Sequence, residues 1–97
     1  MPDPFVLRRE MGCTREELAR WLPGATGGAP AREEAGEVVV ALAGGEARIA
    51  AEARAPRRIG GLALPVLAVT FTFRGVEEPA RRAFLARFDA WTQRGGG

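Results

Sequence analysis

From Glu37 to Arg74 the chain is patterned for strands. Val38-Val39-Val40-Ala41-Leu42-Ala43 is followed by Gly44-Gly45, then Glu46 to Arg54, an arginine-proline corner, and Pro65 to Arg74. Two apolar runs split by Gly-Gly predict a hairpin with a two-residue primed turn, because both central residues need positive φ. That turn sets Ala43 opposite Glu46, Leu42 opposite Ala47, Val40 opposite Ile49 and Val38 opposite Ala51. Opposed residues share a face and successive residues alternate. One face then carries Val38, Val40, Leu42, Ala47, Ile49, Ala51 and Ala53, and is the core face. The other carries Val39, Ala41, Ala43, Glu46, Arg48, Ala50 and Glu52. In the last strand Leu67, Val69, Phe71 and Phe73 alternate with Ala68, Thr70, Thr72 and Arg74. A one-residue slip buries Arg48 and Glu52, so the register is strongly set.

On either side the pattern turns helical. Thr14-Arg15-Glu16-Glu17 is a capping box, with Thr14 at N-cap and Glu17 at N3. The predicted helix runs from Arg15 to Leu22 and stops at Pro23-Gly24. Leu18, Trp21 and Leu22 form one stripe, so Trp21 is read as core rather than as a binding aromatic. Glu77-Glu78-Pro79 opens a second helix, with acids in its first turn and proline at N1. It is expected to run to Gln93 or Arg94, with Gly95 at C′. Phe84, Phe88 and Trp91, joined by Leu85, should lie across Phe71 and Phe73, flanked by Arg81, Arg82, Arg87 and Arg94.

The remaining stretches carry weaker patterns. Phe5 to Glu10, after two prolines, is a candidate first strand at the sheet edge. Ala25 to Gly36 reads as a flexible connector. Gly24-Ala25-Thr26-Gly27-Gly28 within this region is no phosphate loop, since it follows a helix and lacks lysine. Pro56 and Pro65 confine the segment between them to an edge or a corner. Ile59, Leu62 and Leu64 there form either a short extra strand or a cap over the open end of the core.

Composition narrows the chemistry. At 97 residues, with 46% hydrophobic and 27% charged, one domain over residues 1–94 is expected, with 95–97 a disordered tail. The chain has no His, Tyr, Ser, Lys or Asn, and all fourteen positive charges are arginines. Serine hydrolysis, a histidine base, a Schiff-base lysine and His-containing metal sites are therefore impossible within one chain. The nucleophiles left are Cys13 and five threonines. Cys13 precedes a helix N-terminus, which lowers a thiol pKa, but no His or Lys can partner it. It is read as a small buried residue before the cap. Glu16-Glu17, Glu33-Glu34 and Glu77-Glu78 are adjacent pairs, and adjacent helical residues do not face each other. A protein that is not an enzyme, with no cofactor and no metal, is expected.

One cysteine excludes an internal disulfide framework. No apolar run approaches the ~20 residues of a membrane helix. Met1-Pro2-Asp3-Pro4 lacks the basic and apolar regions of a signal peptide, so a bacterial cytoplasm is the expected setting. Arginine in place of lysine, with abundant Ala and Gly, points to a GC-rich genome. The formal net charge is only +2, which is weak support for an anionic partner.

Leu64-Pro65-Val66-Leu67-Ala68-Val69-Thr70-Phe71-Thr72-Phe73 followed by Arg82 to Gly97 resembles small uncharacterised proteins of GC-rich proteobacteria, a likeness that implies no activity. In element order, α-β-β-β-α is similar to the double-stranded-RNA-binding domain, whose last helix opens on a basic cluster that contacts phosphates. Arg81-Arg82 occupy a similar place, although Glu77 and Glu78 precede them and the usual lysine pair is absent. With Phe5–Glu10 as a strand, the order is closer to TATA-binding-protein-like or helix-grip folds. Fold alone does not assign function.

The fold expected is α+β: an antiparallel meander of three or four strands, two helices on one face, in the order (β)-α-β-β-(β)-β-α. The uncovered face is smooth and mildly apolar, with Ala41, Arg48, Ala50, Thr70, Thr72 and Arg74 as candidate partner-binding residues. The expected role is an interaction module for a protein partner or a homodimer, with no membrane involved. The alternative is nucleic-acid or other polyanion binding through Arg54, Arg57, Arg58, Arg81 and Arg82.

Overall fold

The computed structural model describes residues 4–93. In chain order the elements are β1 (Phe5–Met11), α1 (Arg15–Ala25), β2 (Ala31–Glu34), β3 (Glu37–Leu42), β4 (Gly45–Ile59), β5 (Leu62–Arg74) and α2 (Glu78–Thr92). All strands join one antiparallel sheet in the order β1-β5-β4-β3-β2. The α+β fold forms with five strands. The segment Phe5–Glu10 is a strand and pairs with β5, Phe5 opposite Phe73. The order β-α-β-β-β-β-α departs from the α-β-β-β-α likeness by β1 and β2.

The core lies between one sheet face and the two helices. Val40, Ala47, Ile49, Leu67, Val69, Phe71 and Phe73 point from the sheet into a cluster with Leu18, Leu22 and Ala25 of α1 and Phe84 and Phe88 of α2. Phe88 meets Phe71 edge-on with centroids 4.9 Å apart, and Phe84 meets Phe73 edge-on at 5.7 Å. Each such pair is worth about 0.5–1.5 kcal/mol beyond area burial. Arg9 points into the same layer, ion-paired to Asp89 of α2 and placed over Phe71.

The β3–β4 turn is Ala43-Gly44, not Gly44-Gly45. Leu42 faces Gly45, Val40 faces Ala47 and Val38 faces Ile49. This is a shift of two residues from the expected register. An even shift leaves every side chain on its own face, so the core face stands as read. Gly45 belongs to the strand because β5 crowds it: a Cβ there would lie 1.8 Å from the Arg74 carbonyl oxygen.

Three further expectations change. The connector holds β2, which pairs with β3, Ala31 opposite Val40 and Glu34 opposite Glu37. Its two-residue turn, Ala35-Gly36, has positive φ at both residues (53° and 79°), the signature of a primed turn. The strand escapes pattern reading because Ala31, Arg32, Glu33 and Glu34 are all exposed. Helix α1 does not stop at Pro23 but runs through it to the buried Ala25. Tertiary contact holds that last turn. Trp91 lies against Gly24 so closely that a Cβ would come within 2.1 Å of its ring, and Arg87 Nε donates to the Gly24 carbonyl at 3.1 Å. Finally, Ile59, Leu62 and Leu64 make neither a separate strand nor a cap; β4 and β5 run on as one long hairpin. Helix α2 ends at Thr92; Arg94, the Gly95 C′ position and the 95–97 tail lie outside the described residues.

Candidate interaction surface

Strand alternation decides what the uncovered face presents. By register, Val6, Thr72, Arg48, Val39 and Arg32 form one row across all five strands. Arg8, Thr70 and Ala50 form the next, and Glu10, Ala68 and Glu52 a third. Arg74, Glu46 and Ala41 form a row at the other end. The six candidate residues Ala41, Arg48, Ala50, Thr70, Thr72 and Arg74 therefore do share one face.

That face has two unlike halves. Toward β2 it is roofed by charge. Arg32 of β2 reaches Glu46 of β4 at 3.8 Å, and Arg48 of β4 reaches Glu34 of β2, so two ion pairs cross over β3. Arg48 also pairs with Glu46 at 2.8 Å and Glu37 at 3.5 Å. Beneath them Val39 is fully buried, although it belongs to the face away from the helices. Hydrogen bonds donated by Arg48 and then Arg32 hold the Glu34 carboxyl below its ordinary pKa, and donation to Glu34 and then Glu46 raises the already high value of Arg48. Arg48 is thus a structural clasp. Its partners Arg32 and Glu34 escaped sequence reading because β2 did.

The other half is a smooth stripe along β5, flanked by Arg8 and Glu10 of β1 and by Glu52 and Arg54 of β4, and it continues onto a projecting arm. β3 accompanies β4 only as far as Ile49, and β1 accompanies β5 only from Leu67. Past those points β4 and β5 pair only with each other among the described residues. The molecule measures 48 × 25 × 22 Å. Along β5 the even positions Leu62, Leu64, Val66, Ala68, Thr70 and Thr72 share the open face. Near the tip Ile59 is 56% exposed, Leu62 66% and Leu64 42%. One extra residue in β4, between Arg54 and Arg57, shifts the pairing so that Arg57 faces Leu64 and Ile59 faces Leu62. The sequence signal for the arm was present in Gly60-Gly61 between Ile59 and Leu62, a second hairpin cue of the kind read at Gly44-Gly45.

The five arginines proposed for anions are not brought together. Arg54, Arg57 and Arg58 lie on the arm. Arg54 pairs with Glu52, Arg57 approaches Glu10 at 3.8 Å, and Arg58 has no ion pair among the described residues. Arg81 and Arg82 open α2, beside the opposite end of β5. Both reach Glu78, at 3.9 and 3.5 Å, and Arg81 stacks on Phe5, 3.8 Å from its centroid.

Cys13 is buried in the core cluster, and burial, reinforced by the Glu17 charge, pushes its thiol pKa up rather than down. The direction is opposite to the activation that its position before a helix allowed. Between α1 and the β2–β3 edge runs a shallow groove floored by Leu22, Val38 and Val40 and rimmed by Arg32 and Glu33. Among the described residues no three metal-ligating side chains cluster, and no helix is long and apolar enough to cross a membrane.

Comparison with protein-family models, with curated proteins and with solved structures found no match to this chain.

Proposed function

We propose that this chain is a non-enzymatic interaction module that engages a protein partner through the smooth half of its open sheet face and the arm that extends it. The observation that carries this reading is the exposure of Ile59, Leu62 and Leu64 on an arm that is two-stranded among the described residues. An isolated two-stranded ribbon is marginally stable in water, and exposed apolar clusters mark partner sites. Arg48, tied to three carboxylates, serves the scaffold rather than the contact. Ala50, Thr70 and Thr72 line the contact, with Ala41 and Arg74 at its end. We propose a bacterial cytoplasm as its setting.

The test is capture from native lysate, comparing the parent chain with Leu62→Ser/Leu64→Ser and with Ala41→Arg/Thr70→Arg. Both double variants are expected to lose the captured protein while keeping the far-UV spectrum. Undiminished capture by both would sink the reading.

A second reading rests on Arg54 and Arg57 sharing the open face of the arm, with Arg58 on its other face, as a polyanion contact. It predicts RNA or DNA binding that falls steeply with salt. Absence of any shift at ~50 mM salt would eliminate it.

A further inference from the structure

The sheet has several free edges, and each but one is short, interrupted by a proline or turned by an inward charge. β2 is four residues long, follows Pro30 and carries Arg32, Glu33 and Glu34. β1 follows Pro4 and turns Arg9 inward to Asp89. The arm's β5 edge contains Pro65, which has no N–H to offer. Short strands, prolines and inward charges are the usual defences against pairing with another chain. The β4 edge between Ala50 and Ala55 differs. Beyond Ile49 it has no strand partner on the β3 side among the described residues. It reads Ala50-Ala51-Glu52-Ala53-Arg54-Ala55, with small residues around two opposite charges. It ends at Pro56 and the bulge.

Those two charges ion-pair with each other within one copy, and their spacing also fits one partner, the same edge of a second copy. In antiparallel self-pairing, a register centred on Glu52 sets two glutamates opposite each other, and one centred on Arg54 sets two arginines opposite. Centred on Ala53, Glu52 of each copy faces Arg54 of the other, and Ala51 faces Ala55. Opposite charges directly across a strand pair stabilise it and like charges oppose it. The Ala53 register also stops where it must. Ala50 then faces Pro56, and beyond that point each copy's β4 is already paired with its own β3. We infer that the β4 edge from Ala50 to Ala55 pairs antiparallel with the same edge of a second copy about a two-fold axis at Ala53, joining two five-stranded sheets into one. This names a second copy as partner for the free β4 edge at the base of the arm and so rests on the interaction reading. It uses that edge and leaves the open face free.

The full chain should be examined by size-exclusion chromatography with light scattering, at low and high protein concentration. The parent chain is expected to dimerise. Glu52→Arg and Arg54→Glu each set like charges opposite at two places and should weaken the dimer by about tenfold or more. The double variant Glu52→Arg/Arg54→Glu restores both pairs and should recover the dimer. An equimolar mixture of the two single variants should form a heterodimer, which also shows that each one folds. Ala41→Arg/Thr70→Arg should leave the dimer intact. A parent chain that stays monomeric at every concentration overturns the inference, as does a dimer indifferent to Glu52→Arg or a double variant no better than the singles. Loss of lysate capture in Ala41→Arg/Thr70→Arg by such a monomer would overturn the edge pairing alone and leave the face reading in place.

Discussion

Small residues in this protein mark places where backbones or rings come close. Gly45 is the sharpest case, because the β5 backbone at Arg74 occupies the space a side chain needs. Backbone cannot swing aside as a surface side chain can, so Gly45→Ala should cost about 2–3 kcal/mol in urea denaturation. Gly61, at the arm tip, has nothing within 4 Å and no positive φ, and Gly61→Ala should change stability by less than about 0.5 kcal/mol. The local pattern places Gly44 and Gly45 together in a turn, for one shared reason. Only the second strand's approach distinguishes them: Gly44 has φ 85°, while Gly45 is in a strand pressed by a neighbour. Val39 makes the same point for an apolar residue. Alternation placed it correctly away from the helices, and nothing local announced that Arg32 and Arg48 would cover it.

At the scale of elements, the capping box at Thr14 and Glu17 forms as read, with hydrogen bonds of 3.1 and 2.9 Å. The same helix runs past the end that Pro23 predicts, because proline's local effect is overridden where Ala25 is buried and Trp91 packs on Gly24. β2 was missed for a different reason. A four-residue edge strand with all its side chains exposed has no hydrophobic alternation to display, and its pairing is a property of β3 beside it. Its turn is under strain at Ala35, a non-glycine residue in the left-handed region. Ala35→Asn supplies the residue preferred before glycine in a primed turn and should raise stability by about 0.5–1 kcal/mol in thermal or urea unfolding. A loss of stability would mean the turn is of another type.

For the whole molecule, the helices and the sheet behind them form the body, and the arm beyond Arg54 and Val66 adds nothing to its core. Arg54 faces Val66 directly, so Asn-Gly in place of residues 55–65 closes the hairpin with a two-residue loop. That variant should keep the body's stability to within about 1 kcal/mol and lose partner capture. Unfolding of the shortened chain would show instead that the arm is part of the folding unit. The arm is where sequence reading divided one object into several: a strand, an arginine corner, a possible cap and a last strand. Pro56 and Pro65 prompted that division. A bulge absorbs the first, and the second lies where β5 has no outer strand among the described residues.

What the sequence determined by itself is what short-range chemistry controls. It set the class of fold, the face of each strand in the β3–β4–β5 meander, the capped start of α1, and the Phe84 and Phe88 stripe that meets Phe71 and Phe73. Period-two and period-3.6 patterns are local, and they survive a two-residue error in register because face depends only on parity. Tertiary structure alone decided the pairing of β2, the passage of α1 through Pro23, the ion-pair roof over Val39 and the separation of the arginines into two ends of the molecule. Each depends on which strand or helix lies alongside, a relation between residues far apart in the chain that no local pattern encodes.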